Sequence, residues 1–231
     1  TWLRPDAQDP QSLPDERLSS LLAEGQDDLF VGGNRAGLAR LDLRTRRVQR
    51  YPCAAVDPRV LPCKIMALAP AGAGLLWVGG LSGLALFDPR AGRVLRALKH
   101  HTNDPRSLSR STIISLRRGR DGALWVGSSG GLNRLPPSSD PATQPAQFTR
   151  FTAPQLPDDV INGVIEDQAG QVWLTTNDGL LRLDPRSGAV QRFDTLDGLA
   201  SNEFNQGAVA TTRAGEVLIG GVRGFNVFHP A

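Results

Sequence analysis

Three histidines, two cysteines and several turn carboxylates are the side chains of this sequence with the chemistry to bind a metal or catalyse a reaction. His100 and His101 are adjacent in "HHTND", and adjacent side chains of an extended chain point in opposite directions. Zinc needs further ligands at short spacing, and no cysteine or third histidine supplies them. The carboxylates of "GRDG" and "EDQAG" recur as turns and lack the density that calcium requires. The sequence therefore predicts no catalytic residue, no metal and no cofactor.

The cysteines are Cys53 and Cys63, ten positions apart in "YPCAAVDPRVLPC". They could close a short ring in one loop, and an export compartment would permit the bond. The alternative is a pair of free thiols in a reducing compartment. We predict the disulfide.

The charge pattern excludes some partners. The chain carries 26 basic and 23 acidic residues, and Lys64 and Lys99 are its only lysines. The arginines cluster in "RTRRVQR" and "RRGRDG", beside turns. A nucleic-acid surface would show a basic stripe with interleaved aromatic residues, so these clusters indicate solvated strand ends and no nucleic-acid partner. No apolar run approaches the ~18 residues of a membrane helix.

One sequence motif recurs along the chain. "DGALWVGSSGGLNRL" at Asp121 has counterparts at Asp27, Gly72, Ala169 and Ala214. A period of about 40–50 residues is typical of propeller blades and of solenoid repeats. The positions that match one another are Phe30, Trp77, Trp125, Trp173 and Leu218.

The sequence pattern predicts four short strands in each repeat unit. In the third unit, "STIISLRR" alternates apolar and polar residues, "GRDG" is turn chemistry, and "ALWVGS" is the continuous apolar run of a strand covered on both faces. "LNRL" and "QFTRF" supply the third and fourth strands. Helical spacing of apolar residues is absent. The sequence therefore predicts an all-β protein, a β-propeller of four-stranded antiparallel blades with five blades visible.

We treat residues 1–231 as one propeller region. The fifth unit ends after its third strand, so residues 1–3 either complete the last blade or end a blade outside the chain. Five blades can close into a ring or belong to a larger propeller. First strands are predicted near Leu18, Ile65, Ile113, Val160 and Ala208, and the blades cover approximately residues 12–51, 61–98, 107–151, 156–193 and 194–231.

The repeats resemble the two-component regulator propeller family. "GLLWVGGLSGLALFDPRAG" (74–92) and "GQVWLTTNDGLLRLDPRSG" (170–188) carry the resemblance, which covers nearly the whole chain. The pattern departs in "GGNRAGLARLDLRTRR", which lacks the proline, and in the Pro/Ser-rich insert at 134–148. The resemblance implies the C-terminal portion of a longer sensor. It would be the periplasmic part of an inner-membrane receptor with a histidine kinase or diguanylate cyclase output, and its membrane attachment would lie outside this chain.

Any binding site is predicted where the longest links emerge, because loops carry recognition more often than scaffold strands do. The links from a fourth strand to the next first strand, and from a second strand to a third, should share one face around the axis. The side chains in these links are polar and include arginines. They would suit an oligosaccharide or an acidic sugar, since arginine forms bidentate hydrogen bonds with carboxylates and sulfates. The candidates are Asn34, Arg35, Lys64, Ser82, Arg110, Ser129, Asn162, Asn177, Asp178, Asn205 and Arg223.

Three functions remain open at this point. The first is a ligand-sensing module that responds to a glycan-derived ligand, with a homodimer formed through the receptor. The second is a protein–protein scaffold or dimerisation propeller, which a broad apolar patch would favour. The third is a propeller lyase or hydrolase, which clustered titratable groups at the pore would favour. We interpret the chain as a sensor and not as an enzyme.

Overall fold

The computed structural model describes residues 3–6, 8–51, 53 and 61–230. Within these ranges the secondary structure is almost entirely β, and the single short 3-10 helix spans Thr195–Asp197. The predicted all-β class is confirmed. No helix in the described ranges is long and apolar enough to cross a membrane.

Among the described residues, the strands form five antiparallel sheets in which neighbours along the chain are neighbours in the sheet. Four sheets have four strands and the fifth has three. The chain divides into two compact units. Unit 1 consists of residues 1–99, 111–113 and 140–145, and unit 2 consists of the remaining segments, 100–110, 114–139 and 146–231.

Unit 1 contains the first two sheets. Residues 140–145 of the Pro/Ser-rich insert belong to this unit, where Arg96 donates a hydrogen bond to the carbonyl of Pro141 (3.0 Å). The first sheet is β1 Leu18–Glu24, β2 Asp28–Gly33, β3 Leu38–Asp42 and β4 Val48–Arg50, and the second is β5 Ile65–Gly72, β6 Leu75–Gly80, β7 Gly83–Asp88 and β8 Arg93–Leu98.

Unit 2 contains the other three sheets, apart from the first residue of the third. That third sheet is β9 Ile113–Arg118, β10 Leu124–Ser128, β11 Gly131–Leu135 and β12 Thr149–Phe151. The fourth is β13 Gly163–Glu166, β14 Val172–Thr175, β15 Leu180–Leu183 and β16 Val190–Phe193, and the fifth is β17 Phe204–Thr211, β18 Val217–Gly221 and β19 Gly224–Phe228.

The first three sheets begin where the sequence predicts, at Leu18, Ile65 and Ile113. The fourth begins at Gly163, later than Val160, because the preceding residues form a turn around Asp158. The fifth begins at Phe204, earlier than Ala208, since the polar residues that hide its alternation form an irregularity in the register between Phe204 and Val209. The predicted strand at residues 1–3 lies mostly outside the described residues.

The core of unit 2 lies between the faces of successive sheets. Val164, Leu174 and Leu181 on one face of the fourth sheet pack with Trp125 and Leu132 of the third. The residues between them point the other way, because side chains alternate along a strand. They pack with the fifth sheet, through Ile165, Trp173 and Leu180 against Phe204, Val217 and Ile219. The recurring Trp-Val-Leu strand is therefore a packing motif.

Candidate functional site

The predicted residues lie at one end of their sheets, which we call the loop end. In an antiparallel sheet with strands in chain order, the entry to the first strand, the turn between strands two and three, and the exit from the fourth strand share an end. The opposite end, the hairpin end, carries the turns between strands one and two and between strands three and four.

In unit 1, Asp15 fastens the β2–β3 turn that holds Asn34 and Arg35. Its carboxylate accepts hydrogen bonds from the amide of Arg17 (3.0 Å), just before β1, and from the amide of Arg35 (2.6 Å). The Asn34 amide donates to the carbonyl of Arg17 (2.9 Å). The main chain of the turn is thus fixed, and the Arg35 side chain is exposed.

The same contacts set the charge of Asp15. Partial burial acts to raise its pKa, but the amides of Arg17, Arg35, Ala36 and Asn34 outweigh it and hold the pKa below its usual value. Asp15 is therefore a permanent anion beside Arg35 near neutral pH.

Cys53 and Cys63 are joined by the predicted disulfide, which lies beside the same turn. The amide of Gly37, the last residue of the turn, donates to the carbonyl of Cys63 (2.9 Å), and the Cys53 sulfur lies 3.8 Å from the carbonyl oxygen of Arg35. Gly37 has a φ of 75°, and a side chain here would meet the Cys53 Cβ at 2.7 Å. The turn that carries Arg35 is built around the disulfide.

The other two candidates in unit 1 lie at the loop end of the second sheet. Lys64 directly follows the disulfide and precedes β5, and its carbonyl lies against Gly80, at the end of β6. Ser82 is in the following β6–β7 turn. Both residues are half-buried.

In unit 2, the structure brings Asn162 and Asn177 together. The buried Asn162 side chain donates both to the Asn177 side-chain oxygen (2.9 Å) and to the carbonyl of Phe204 (3.0 Å). Asp158 accepts hydrogen bonds from the amides of Val160 and Asn177, both at 2.9 Å, as Asp15 does in the first sheet. Asn162 ties the entries of the fourth and fifth sheets to the β14–β15 turn, so its role here is structural.

The remaining candidates are dispersed along the loop ends of unit 2. Arg110 lies with its side chain against Gly130, next to Ser129 in the β10–β11 turn. Asp178 pairs with Arg192 of β16 (2.6 Å). Asn205 and Arg223 are exposed on the fifth sheet, Asn205 in β17 and Arg223 in the β18–β19 turn.

Arg35, Arg110 and Arg223 share one property that matters for binding. Each is exposed, and among the described residues no hydrogen bond or ion pair engages its side chain. An uncommitted guanidinium can take a carboxylate or sulfate in a bidentate pair. The side chains of Asn162, Asn177 and Asp178, by contrast, are engaged in hydrogen bonds or an ion pair.

Sequence reasoning missed the two aspartates that organise these turns. Asp15 and Asp158 each stand in the tripeptide Leu-Pro-Asp, at 13–15 and 156–158, shortly before the first strand of their sheets, β1 and β13. That repeated tripeptide is the signal that could have found them. Arg192 was missed because nothing in the sequence links it to Asp178.

Sequence reasoning also missed two cavities at the hairpin end of unit 2. The first, the arginine cavity, has a volume of about 220 Å³ and is lined by Arg117, Arg118, Arg120, Arg213, Glu166 and Asp167. The second, of about 400 Å³, shares Glu166 with the first and is also lined by Trp125, Thr149, Phe151 and Arg186. The arginine cluster "RRGRDG", interpreted as a solvated strand end, supplies three of the four guanidiniums of the first cavity.

Comparison with known proteins identifies the architecture. No protein-family model and no curated protein sequence matches the chain. Among solved structures, the extracellular domain described as that of the hybrid two-component system BT3049 from B. thetaiotaomicron superposes on 100% of this chain with a TM-score of 0.81 and 18% identity. The fold is that of a β-propeller. The predicted fold class is confirmed.

Two further likenesses place this propeller among its structural relatives. The extracellular domain of the two-component system BT4673 from B. thetaiotaomicron matches 93% of the chain, with a TM-score of 0.68 and 21% identity. Virginiamycin B lyase from Staphylococcus aureus matches 92%, with a TM-score of 0.65 and 12% identity. This chain spans 29% of the BT3049 structure, 26% of the BT4673 structure and 70% of the lyase.

Proposed function

We propose that this β-propeller is the extracytoplasmic ligand-sensing region of a membrane signalling receptor, a two-component sensor kinase or a diguanylate cyclase. The observation that carries the proposal is the likeness to the extracellular domain of BT3049, which extends over 100% of the chain. Virginiamycin B lyase superposes as well, but with a lower TM-score and lower identity. The proposed role is therefore binding and not catalysis.

A periplasmic location agrees with the chemistry of the chain. The Cys53–Cys63 disulfide fastens the β2–β3 turn of the first sheet. Disulfides persist in oxidising compartments such as the periplasm and are rare in the cytosol. In this proposal the bond supports the loop end on which the ligand is recognised.

The proposed ligand is a glycan-derived oligosaccharide bound at the loop end. Arg35 in unit 1 and Arg223 in unit 2 project from turns whose main chains are hydrogen-bonded in place. Because the main chain of each turn is already fixed, binding has to order the arginine side chain only and not the turn. Hydroxyls and acidic groups of a sugar are suitable acceptors for guanidinium donors.

The test is a calorimetric screen of oligosaccharide fragments against the exported chain, repeated with Arg35→Ala and with Arg223→Ala. We expect a fragment whose affinity falls about tenfold in at least one variant, as for the loss of a hydrogen bond to a charged group. Arg44→Ala is the matched control, because Arg44 is an exposed arginine in the β3–β4 turn at the hairpin end. A fragment that binds all four proteins equally would exclude the loop end as its site.

One observation favours a second function, a protein–protein scaffold. Val222, Phe225 and Val227 of the fifth sheet are 59%, 69% and 47% exposed. Phe225 and Val227 alternate along β19 and therefore lie on the same face, and Val222 lies in the preceding turn. Exposed apolar patches mark association surfaces. Concentration-dependent dimers in sedimentation velocity that Phe225→Asp abolishes would support this function, and a monomer at all concentrations would argue against it.

A further inference from the structure

The arginine cavity lies at the ends of three first strands of unit 2. Arg117 and Arg118 close β9, Glu166 closes β13 and Thr211 closes β17, and all of them line the cavity. Arg213 stands in the β17–β18 turn. Three repeats thus direct polar side chains from equivalent positions into one space of about 220 Å³.

The positive charge in this cavity exceeds the negative charge, and the negative groups are already engaged. Asp167 is buried and accepts the Trp173 indole N–H (2.8 Å) and the amides of Ala169 and Gln171 (2.9 Å each). Glu166 accepts the amide of Arg120 (3.1 Å). Within the described part of the chain, neither carboxylate forms an ion pair with an arginine of the cavity.

Two of the guanidiniums have no such engagement. No hydrogen bond or ion pair to a described residue holds the side chain of Arg117 or Arg213, whereas Arg120 donates to the carbonyl of Gln168 (3.3 Å). Like charges that converge on a cavity repel one another unless an anion joins them. The cavity is therefore electrostatically complementary to an oxyanion, and the planar fork of arginine matches the oxygens of a carboxylate or a sulfate.

The neighbouring cavity extends this site. It shares Glu166 with the arginine cavity and has a volume of about 400 Å³. Its lining includes Trp125, Phe151, Thr149 and Arg186, together with the ion pair of Asp121 and Arg134. Volumes of this order hold small ligands. Its mixture of aromatic side chains with hydroxyl and guanidinium donors suits a sugar ring. Arg186 adds another guanidinium, which forms no hydrogen bond or close ion pair with a described residue.

From these observations we propose that the hairpin end of unit 2 binds an acidic oligosaccharide, with a sulfate or carboxylate group in the arginine cavity and the adjoining sugar in the second cavity. This inference rests on the proposed function in taking the ligand to be a glycan, but it assigns a site at the opposite end of the sheets from Arg223. The oxyanion makes the charged contacts, and the sugar ring distinguishes the ligand from a free anion.

The experiment is calorimetry on the full chain with four probes: a sulfated disaccharide, the same disaccharide without sulfate, digalacturonate and sodium sulfate. We expect the sulfated disaccharide or digalacturonate to bind, and the double variant Arg117→Gln/Arg213→Gln to weaken that binding at least about tenfold, since two charged hydrogen-bond donors are lost. Added salt should weaken it further. Arg106→Gln, an exposed arginine of unit 2 that lines neither cavity, should bind like the unmodified chain.

The other outcomes separate this inference from the proposed function. Acidic-sugar binding that Arg223→Ala abolishes and the double variant retains would overturn the arginine cavity and support the loop end. If sodium sulfate binds as tightly as the sulfated disaccharide, the oligosaccharide assignment is wrong. If the unsulfated disaccharide binds as tightly as the sulfated one, the oxyanion has no role in binding. If no acidic probe binds but neutral fragments do, the inference fails and the sensing function stands.

Discussion

The fourth and fifth sheets are built from the same repeat, yet their corresponding residues have different surroundings. Leu180 opens β15 opposite Thr175, and Phe225 occupies the corresponding place in β19, opposite Gly220. Leu180 is 2% exposed, whereas Phe225 is 69% exposed. The larger apolar side chain is the one in contact with solvent.

The cause lies in the neighbouring sheets and not in the strands themselves. The fourth sheet has a sheet of unit 2 on each face, the third against Leu181 and the fifth against Leu180. The fifth sheet packs on the fourth through Val217 and Ile219, and its other face carries Phe225. A blade of this repeat supplies two apolar faces, and each becomes core only when another sheet covers it.

The turn glycines show the same difference. Gly179 directly precedes β15 and Gly224 opens β19, and both have positive φ, at 99° and 123°. A Cβ on Gly179 would lie 2.5 Å from the carbonyl oxygen of Phe193 in β16, while a Cβ on Gly224 would meet nothing within 4 Å. Since no fourth strand pairs with β19 in the described structure, Gly224 keeps its conformation without the contact that accompanies it in the fourth sheet.

The largest expected effect comes from truncating the two corresponding apolar side chains. Leu180→Ala should lower the free energy of unfolding by about 2–5 kcal/mol, because it opens a cavity between two packed sheets. Phe225→Ala should change it by no more than about 0.5 kcal/mol, as for other exposed positions. Urea unfolding followed by tryptophan fluorescence measures both variants. Equal losses would show that Phe225 is covered in solution, which would break the contrast.

Glycine substitutions sharpen the comparison by separating backbone strain from contact. Alanine at positive φ costs about 1–3 kcal/mol, and both Gly179→Ala and Gly224→Ala incur this cost. Gly179→Ala should lose about 1–3 kcal/mol more, because its Cβ must push aside the Phe193 carbonyl. The difference between the two unfolding free energies is the quantity of interest. A difference near zero would mean that β16 shifts to accommodate the new Cβ at no cost in free energy.

A feature of the fold could be predicted from the sequence where it recurs in every repeat. The Trp77, Trp125 and Trp173 strands recur at a fixed period, so the sheets and most of their boundaries could be predicted from local alternation. The start of β17 could not, since the polar residues before Ala208 hide the strand and only pairing with Gly221 reveals it.

The candidate site was less predictable for a similar reason. A residue's place at the loop end follows from its position in the repeat, as for Arg35 and Arg223. Whether its side chain is free depends on contacts between distant residues, such as Arg192 with Asp178. The arginine cavity needs three repeats to converge, and no single stretch of sequence records that convergence.

The links between sheets offer a third test of the comparison. The disulfide fastens the link between the first two sheets, while hydrogen bonds such as that from Gly179 to the carbonyl of Asn202 (2.8 Å) fasten the link between the last two. The double variant Cys53→Ser/Cys63→Ser should lose roughly 2–3 kcal/mol of unfolding free energy, the value of a short closed loop in the chain-entropy model. Adding reductant to the unmodified chain should reproduce the loss and leave the variant unchanged. Two free thiols found by mass spectrometry on periplasmic protein would contradict the bond itself.

The smallest expected effect concerns an aromatic residue that a neighbouring sheet covers completely. Tyr51 follows β4 and is 3% exposed. Its ring packs edge-on against Phe87 of the second sheet, with 4.9 Å between ring centroids, and its hydroxyl donates to the carbonyl of Pro89 (3.1 Å). Phe193 holds the corresponding place at the end of β16 and is only half-buried. Because the second sheet covers Tyr51, the pKa of its hydroxyl should differ measurably between the folded and the unfolded chain.

Burial raises the pKa of Tyr51 from 10.0 to about 12, because the phenolate would lose its hydration. The folded state thus keeps the proton while the unfolded chain releases it, so the free energy of unfolding should fall as the pH rises from about 10 to about 12 and then level off. Tyr51 is the only tyrosine of the chain, so the near-ultraviolet absorbance of phenolate reports on this residue alone. We expect a midpoint near 12 in the folded chain and near 10 in urea, and no phenolate signal in Tyr51→Phe. A folded midpoint near 10 would mean that water reaches the hydroxyl, and the contrast between covered and uncovered sheet faces would then not extend to the first sheet.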